Sequence, residues 1–388
     1  MRTSYDLAVV GAGFAGLTCA QAAAVRGART VVIERKTDVG AACHTTGILV
    51  KEVADEWDVP RELTRRIHGV RLYGPSLSWI DLCSPGYFFL ATDTPGVMRH
   101  LADMATAAGA RLQFGTSFSG CQATRDGFRI ATKSRGDPEL DCRYLVGADG
   151  ARSRVATDLQ LGGNRRFLVG AEVELVGVRG IDEDRLHVFL DSRLAKGYIA
   201  WAVPGVGVTQ VGLATSQAAG GRANGSANVA SGPIAGRLDA LLTRLAGMFD
   251  LSAAKVVARR GGLIPCGGPV RPWRTASAML LGDAAGMVSP LTAGGIHPAM
   301  QLGRVAGVAI ANHLFDAGPQ PWRAVAAAAP SFVCKRWLRT AFDVLPTNYL
   351  FDTLLSSEMF RRLAQVIFFH HRGLFSLSAW RDVLLAVR

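Results

Sequence analysis

The sequence lacks the features that mark several classes of protein. No apolar run approaches the roughly 18 residues that a membrane-spanning helix needs, and the seven cysteines form no CxxC pair. Scattered cysteines of this kind favour reduced thiols and argue against a disulfide framework or a zinc site, so we expect no bound metal. Charged residues make up only 19% of the chain and apolar residues 49%, which excludes a largely disordered protein.

Two further absences limit the choice of partner and compartment. Although the net charge is +12, the chain has no dense block of Lys and Arg and no known nucleic-acid module, so we expect no nucleic-acid partner. Tyr5 and Asp6 interrupt the start of the chain, where a signal peptide would need an apolar core. These features predict a cytoplasmic protein.

The chain begins with the pattern of a βαβ unit. Residues 7–10 are a short apolar run typical of a buried parallel strand, residues 17–26 are rich in Ala and predict a helix, and residues 30–34 predict a second strand. A chain of 388 residues is too long for one compact core, so further substructures must follow this unit.

A glycine-rich segment joins the first strand to this helix. Gly11 permits a tight turn, Gly13 lets a pyrophosphate approach the backbone, and Gly16 lets the helix pack closely on the strand. The N-terminus of the helix supplies backbone donors for the phosphates. Glu34 ends the second strand, where it can accept hydrogen bonds from ribose hydroxyls. The segment predicts a dinucleotide site.

Two later segments also carry an acid from a buried strand into small residues. Asp149 lies in Gly-Ala-Asp-Gly, and Asp283 lies in Gly-Asp-Ala-Ala-Gly, ahead of the pair Gly294 and Gly295 at the start of a long helix. Asp283 can accept from a sugar-like hydroxyl, and the backbone donors at residues 294–296 can face an electron-rich ring edge. For Asp149, a turn closed by its own carboxylate is an equally good interpretation.

Taken in this order, the three segments resemble the FAD-dependent geranylgeranyl reductase family, within the p-hydroxybenzoate hydroxylase-like flavoprotein class. The resemblance covers roughly residues 5–315. It implies an α/β fold that has a Rossmann-like FAD-binding domain with a parallel sheet, an antiparallel β-sheet substrate domain and C-terminal helices. It also implies FAD as the cofactor, with NAD(P)H or a ferredoxin-like protein as electron donor.

The resemblance also predicts which residues bind FAD. These residues are Gly11, Ala12, Gly13, Phe14, Ala15, Gly16, Glu34, Arg35, Ala42, Cys43, Thr45, Arg99, Phe118, Asp149, Gly150, Gly282, Asp283, Pro290, Gly294, Gly295 and Ile296. Arg99 resembles an arginine that contacts the cofactor in relatives, and an ordinary solvated arginine is the alternative.

We expect a discontinuous organisation of domains. The FAD-binding domain is predicted to comprise residues 1–75, 96–160 and 271–320, the substrate domain residues 76–95 and 161–270, and a helical region residues 321–388. Alternating β-type segments between about 165 and 215 suit an antiparallel sheet. Residues 216–236 are rich in Ala, Gly, Ser and Asn and predict a loop.

Candidates for the reaction centre come from residues near the expected ring of the cofactor and from one substrate-side segment. They are Cys43, His44, Tyr198, Trp201 and His297. Residues 198–204 resemble the Tyr-x-Trp-x-Phe-Pro segment of geranylgeranyl reductases, and Trp201 on a strand could wall an apolar pocket. A tryptophan of the protein core is the alternative.

The last 58 residues are unusually aromatic and basic. They hold 10 of the 30 aromatic side chains, with eight basic residues against four acidic ones. Helical faces that combine such residues suit an interfacial helix on an anionic bilayer, and equally a helical cap over a lipid-binding tunnel or an oligomer contact. The residues that carry this interpretation are Trp337, Phe342, Phe351, Phe360, Phe368, Phe369, Arg336, Arg339, Arg361 and Arg362.

The sequence therefore predicts an FAD-dependent oxidoreductase that reduces C=C bonds of an isoprenoid or another apolar small molecule. The first alternative is an FAD-dependent monooxygenase or halogenase acting on an aromatic or lipid-like substrate. The second is a non-catalytic flavin-carrying protein that binds a lipid or a partner. We expect a cytoplasmic location, with peripheral contact of the C-terminal helices with the inner face of the membrane.

Overall fold

The chain divides into two compact units in a computed structural model that describes residues 3–133, 139–216, 233–344 and 348–369. The first unit comprises Met1–Cys43, Pro95–Arg166 and Pro265–Pro330, and the second comprises His44–Thr94, Phe167–Ile264 and Ser331–Arg388.

The strands are numbered along the chain. They are β1 (Ser4–Val10), β2 (Thr30–Ile33), β3 (Ile48–Val50), β4 (Thr64–Ile67), β5 (Gly69–Tyr73), β6 (Trp79–Cys83), β7 (Phe89–Thr92), β8 (Arg111–Gln113), β9 (Ser117–Thr124), β10 (Gly127–Lys133), β11 (Glu139–Gly147), β12 (Phe167–Val176), β13 (Arg185–Phe189), β14 (Ala200–Pro204), β15 (Thr209–Ser216), β16 (Lys255–Pro265) and β17 (Ala278–Leu280).

The helices are numbered in the same way. They are α1 (Phe14–Val25), α2 (Lys51–Glu56), α3 (Thr94–Ala107), α4 (Arg154–Asp158), α5 (Pro233–Ala246), α6 (Ile296–Phe315), α7 (Pro321–Ala328), α8 (Val333–Val344), α9 (Asn348–Leu355) and α10 (Glu358–Phe369). Short 3-10 turns occur at Arg61–Leu63 and Gly282–Ala285.

The first unit is built on a mostly parallel sheet. Its strand order is β8-β2-β1-β11-β10-β9, and β17 pairs with the last residues of β11, beyond the stretch that pairs with β10. Strands β8, β2, β1, β11 and β17 run parallel, and β9 and β10 form an antiparallel edge. Apart from Ser4, every residue of β1 is buried, as expected for a central strand covered on both faces.

Helices α1 and α6 pack against each other through two glycines of α6. A Cβ at Gly303 would collide with Thr18 and with the carbonyl of Ala15, and a Cβ at Gly307 would collide with the carbonyl of Cys19. Because glycine has no side chain, the two backbones approach to direct contact. The N-termini of the two helices are thereby fixed relative to each other.

The second unit contains a larger sheet, with the order β16-β12-β15-β14-β13-β5-β6. Alternate residues of β12 point to opposite faces. Val173 and Leu175 pack in a buried cluster with Leu238 and Leu241 of α5, which covers one face of the sheet. Glu172 and its neighbours on the opposite face form the polar network described below.

The C-terminal helices correct one expectation. Phe369 is fully buried, Arg339 is buried, and Phe360 and Phe368 pack against an apolar cluster that includes strands β5 and β6. These side chains cover the protein's own sheet and therefore cannot form a surface for a bilayer. Trp337, which was named for the same interpretation, does lie at the surface, with 76% of its area exposed. The side chain of Phe342 and residues 370–388 lie outside the described part of the chain.

The units also differ from the predicted domain boundaries. Residues 44–75 lie in the second unit, because β5 pairs with β13 and extends the second sheet. Conversely, residues 161–166 and 265–270 lie in the first unit, as does α7, which packs on α6. Of the predicted loop at 216–236, residues 217–232 lie outside the described residues, and α5 begins at Pro233.

The predicted fold class is confirmed: a Rossmann-like parallel sheet, an antiparallel sheet and C-terminal helices are all present. Within the described ranges, no helix has both the length and the apolar character needed to span a membrane. Nor do the described His, Cys, Asp and Glu residues gather into a group that could hold a metal ion.

Candidate functional site

The three predicted segments follow three neighbouring parallel strands of the first unit. Val10 at the end of β1 pairs with Gly147 at the end of β11, and Gly147 pairs with Leu280 at the end of β17. Val10 also pairs with Ile33, which precedes Glu34. The residues that follow these strands therefore emerge at one edge of the sheet. In open α/β sheets the crevice at this edge is the usual place for a ligand.

The glycine-rich segment has the space that a phosphate group requires. Gly11 has a φ of +100°, and a Cβ there would collide with the carbonyl of Ala148. A Cβ at Gly13 would meet no atom within 4 Å, so this glycine borders open space. Helix α1 begins at Phe14 without a side-chain cap. Its first backbone N–H groups and its dipole can therefore face an anion.

Glu34 organises this segment through the backbone. Its buried carboxylate accepts the N–H of Ala12 at 2.8 Å with one oxygen and the N–H of Lys36 at 2.9 Å with the other. Each oxygen keeps one lone pair for a further donor. Acceptance of a ribose hydroxyl stays a prediction. The neighbouring Arg35 is exposed.

Asp149 caps a helix. Its carboxylate accepts the Ser153 hydroxyl at 2.6 Å and the N–H groups of Arg154 and Val155 at 2.7 and 3.1 Å, at the start of α4. The side chain therefore has a local structural role, but its partners lie four to six residues later and not within the turn that was the alternative interpretation. Gly150 has a φ of +85° and, like Gly13, no atom within 4 Å of a Cβ. Whether Asp149 and Gly150 lie beside a cofactor stays a prediction.

Asp283 differs from Asp149 because its carboxylate makes no hydrogen bond to the described part of the protein. Burial raises its pKa to about 6. Its Oδ1 lies 3.7 Å from the place that a Cβ would take on Gly295. Asn164 donates to the carbonyls of Asp283 at 2.8 Å and Ala151 at 3.0 Å, and so connects the second and third segments. A partly exposed carboxylate that makes no hydrogen bond to the described residues can accept a ligand hydroxyl.

The backbone between Asp283 and α6 is tightly turned. Gly282 has a φ of +56°, and Ala293 has a φ of +51°, which is rare for a residue with a side chain. Pro290 is buried. Helix α6 begins at Ile296 without a side-chain cap, as α1 does at Phe14. A positive φ at a non-glycine residue is a conformation that clusters at ligand sites.

The segment that ends at Cys43 also has an unusual backbone. Ala42 has a φ of +45°. The buried Cys43 donates its thiol to the carbonyl of Gly40 at 3.3 Å. Arg99 lies against Gly40 and forms a two-pronged ion pair with Asp38, at 3.1 and 2.6 Å. The guanidinium predicted to contact the cofactor is therefore engaged by Asp38 in this structure.

The other predicted residues are placed as follows. Phe118 is buried within β9, and His297 lies in the first turn of α6. Cys43 and His297 belong to the first unit, whereas His44, Thr45, Tyr198 and Trp201 belong to the second. Within the second unit, His44 Nδ1 lies 2.9 Å from the carbonyl of Gly261, and burial raises the pKa of Tyr198.

Sequence reasoning missed a buried polar network in the second unit. Glu172 accepts the indole N–H of Trp201 at 2.9 Å and the hydroxyl of Thr46 at 2.5 Å. Arg260 pairs with Glu174 and donates to the carbonyl of Thr45 at 3.0 Å. Burial raises the pKa of Glu172, while Thr46, Trp201 and Arg260 act in the opposite direction. The sequence feature that could have revealed this network is the pair of acids, Glu172 and Glu174, at alternate positions of an otherwise apolar strand.

Comparisons with known proteins bear on the family and the fold of the chain. A sequence profile described as an FAD binding domain matches residues 60–322, and one described as an NAD(P)-binding Rossmann-like domain matches residues 9–68. A digeranylgeranylglycerophospholipid reductase from Methanothermobacter thermautotrophicus is 29% identical over 321 residues, which cover 79% of this chain and 77% of the relative.

Two solved structures illustrate how widely the fold occurs. A geranylgeranyl bacteriochlorophyll reductase-like protein from Thermoplasma acidophilum matches with a TM-score of 0.81 at 21% identity, over 95% of this chain and 97% of that one. A p-nitrophenol 4-monooxygenase from Pseudomonas putida matches with a TM-score of 0.67 at 17% identity, over 100% and 98%. At these identities the likeness shows the fold alone.

Proposed function

Because the chain belongs to the FAD binding domain family, we propose that it is an FAD-dependent reductase that adds hydrogen across C=C bonds of an isoprenoid chain. The observation that carries this proposal is the arrival of three small-residue segments at the ends of β1, β11 and β17. The relatives named as digeranylgeranylglycerophospholipid reductases support the choice of substrate, which is an apolar polyene.

The residues of the first unit fit FAD. Open space beside Gly13 and the uncapped start of α1 suit the pyrophosphate, and the unsatisfied Asp283 suits a ribityl or ribose hydroxyl. The uncapped start of α6 at Ile296 would direct backbone N–H groups at the electron-rich edge of the ring. The remaining predicted cofactor residues are retained as part of this proposal.

The division of chemical roles follows from these groups. Bound FAD, once reduced, supplies a hydride. The chain binds the cofactor, holds the alkene, excludes water and provides a proton for the second carbon. Cys43, His44, Tyr198 and His297 are the proposed sources of that proton. Trp201 is the proposed contact with the apolar chain.

The electron donor is proposed to be NAD(P)H or a ferredoxin-like protein. The NAD(P)-binding profile covers residues 9–68 and includes the same glycine segment that we assign to FAD. It therefore adds no second nucleotide site. A nicotinamide donor would bind transiently, and a protein donor would need no such site.

Contact with a membrane belongs to the same proposal, because the substrate lipid resides there. Helix α8 exposes Val333 and Trp337 one turn apart, at 60% and 76%, with the exposed Arg336 beside them. An exposed tryptophan next to a basic side chain suits the interface of an anionic bilayer. We place the protein in the cytoplasm, with α8 touching the inner face of the membrane.

The function can be tested with the purified protein and a digeranylgeranylglyceryl phospholipid. The protein is expected to be yellow and, after chemical reduction under anaerobic conditions, to convert the lipid to products heavier by multiples of two hydrogens. Mass spectrometry of the extracted lipid is the measurement, with unreduced protein as control. A gain of one oxygen in air would contradict the reductase and indicate a monooxygenase. A bound flavin without any lipid product would indicate a carrier.

A further inference from the structure

Glu172, Gly212 and Trp201 form a row across three strands of the second unit. Glu172 on β12 pairs with Gly212 on β15, and Gly212 pairs with Trp201 on β14. Residues paired in this way point to the same face of a sheet. The outer two side chains are therefore separated by one strand, and the residue on that strand has no side chain.

The glycine allows the indole to cross that strand. A Cβ on Gly212 would lie 2.7 Å from both Cε2 and Cζ2 of Trp201. This distance is too short for any side chain to be accommodated at position 212 while the indole stays in place. The indole thus covers Gly212 and brings its Nε1 to 2.9 Å from Oε2 of Glu172. The position of the ring is set by two features together, the absence of a side chain at Gly212 and the acceptor on Glu172.

The carboxylate serves more than the indole. Thr46 donates its hydroxyl to the same Oε2 at 2.5 Å. Thr46 directly follows Thr45, which the resemblance predicts to bind FAD. Oε1 is buried without a hydrogen-bond partner, and Nη1 of Arg260 lies 3.8 Å from it. One buried acid therefore holds a substrate-side tryptophan and the neighbour of the predicted cofactor residue Thr45 at the same time.

Such an arrangement is costly for stability. A buried carboxylate loses its hydration and is compensated only by close partners. Arg260 also pairs with Glu174, so two acids share one guanidinium. An apolar residue at position 172 would avoid this cost, but it could not accept the indole N–H of Trp201. The need to hold the indole in a fixed position therefore explains why an acid stands at this position.

We propose that Glu172 is a positioning residue of the reductase, which holds the indole of Trp201 over Gly212 so that the exposed part of the ring forms a wall for the apolar chain of the substrate. Apolar packing also supports the indole, because Trp201 packs against a buried cluster that contains Val188 and Val203. This role rests on the proposed function and names a determinant of its substrate binding.

The test uses Glu172→Leu, with Glu172→Gln as the conservative variant and Glu174→Leu as the matched control. Glu174 lies on the same strand and pairs with the same Arg260, but it makes no bond to the indole. Geranylgeraniol in detergent micelles is the probe, and its Kd is measured from tryptophan fluorescence. Ultraviolet resonance Raman spectra, with Trp201→Phe subtracted, report the hydrogen bond of the indole N–H.

We expect Glu172→Leu to lose the hydrogen-bonded indole signal and to bind the probe about tenfold more weakly. Glu172→Gln should retain most of both, and Glu174→Leu should retain the hydrogen-bonded indole signal and weaken binding of the probe less than Glu172→Leu does. Equal weakening by the two leucine variants, or unchanged binding by Glu172→Leu, would overturn the proposal, as would failure of the wild type to bind the probe. The flavin content of each protein is read separately, so a colourless wild type would disprove the proposed function independently of these results.

Discussion

Glu34 and Ala12 are joined by a hydrogen bond of 2.8 Å between the carboxylate of one and the backbone N–H of the other. The bond connects the end of β2 to the turn after β1, so the shape of the glycine-rich segment depends on an acid 22 residues away. The same carboxylate holds the N–H of Lys36. Glu34 therefore shapes the site whether or not it also contacts a ligand.

Replacement of Glu34 by Ala is expected to destabilise the protein by about 1–3 kcal/mol, because two backbone N–H groups lose their buried acceptor. FAD content should fall with it, since the turn that forms the phosphate site is no longer fixed. Urea unfolding and the visible spectrum are the measurements. Glu62→Ala removes an exposed acid and serves as control. Unchanged stability of Glu34→Ala would contradict this role.

Replacement of Gly13 by Val should separate the cofactor site from the fold. A side chain at Gly13 meets no protein atom, and its φ of −83° suits any residue. The variant should therefore keep the stability of the flavin-free protein and lose bound FAD, because the side chain occupies the space assigned to the phosphates. Gly236→Val is the control, since a Cβ there also meets nothing within 4 Å. A Gly13→Val protein that is yellow with one FAD per chain would refute the site.

Asp283 should make the stability of the flavin-free protein depend on pH. Its pKa is raised in the folded state to about 6 from 3.8, so its contribution is fully present below pH 4 and is lost as the pH rises through 6. Asp283→Asn should consequently be more stable than the wild type at pH 8, by on the order of 1–3 kcal/mol. Most of this range lies below the value for a fully buried group, because the side chain is partly exposed and solvent screens its charge. The difference should shrink at pH 5.

Denaturant unfolding of both flavin-free proteins at the two pH values measures this effect. An advantage of Asp283→Asn that is equal at pH 5 and pH 8 would show that the carboxylate is not the titrating group. In the presence of FAD the order should reverse, because the carboxylate accepts a cofactor hydroxyl more strongly than the neutral amide does.

Trp337 should carry the proposed contact with membranes. The wild type is expected to sediment with vesicles that contain anionic phospholipid, and Trp337→Ala should reduce the bound fraction several-fold by removing an exposed aromatic anchor. Added salt should weaken binding, because Arg336 contributes electrostatically. Trp79→Ala is the control, since this tryptophan is also exposed, at 52%, but lies on β6. Equal binding by both variants would exclude α8 as the contact.

The first βαβ unit could be predicted because its signals are local. The apolar run before Gly11, the glycine spacing and the acid at position 34 lie within one short segment, although the backbone hydrogen bonds that Glu34 accepts were not predicted. The helix starts at Phe14 instead of residue 17, since Gly13 serves as its N-cap. Local sequence patterns therefore predict the existence of a helix or strand better than they predict the residue at which it begins.

The strands between residues 48 and 92 could not be found in the same way. Each of them is only three to five residues long, so it carries too few alternations to mark a strand, and its charges are satisfied only across the sheet. Arg71 on β5 pairs with Asp81 on β6 at 2.8 Å, a partner that no local pattern reveals. The assignment of residues 44–75 to the wrong domain follows from this omission.

The contacts of Glu172 and Phe369 were hidden for a related reason. An acid in an apolar strand signals a partner, but its identity as Trp201 depends on the order of three strands. An amphipathic helix signals an apolar surface, but the sequence does not say whether that surface is a bilayer or the protein itself. For Phe369 it is the protein itself, because the ring packs against Tyr87 and Phe89 of the second unit.

The glycines at 303 and 307 have a consequence for how the first unit is assembled. Backbone contact between α1 and α6 sets the separation of two helix ends that lie far apart in the sequence. That separation does not depend on the long stretch of sequence between them. Evolution could therefore rebuild the intervening strands and loops, and with them the choice of ligand, without changing the distance between the two dipoles.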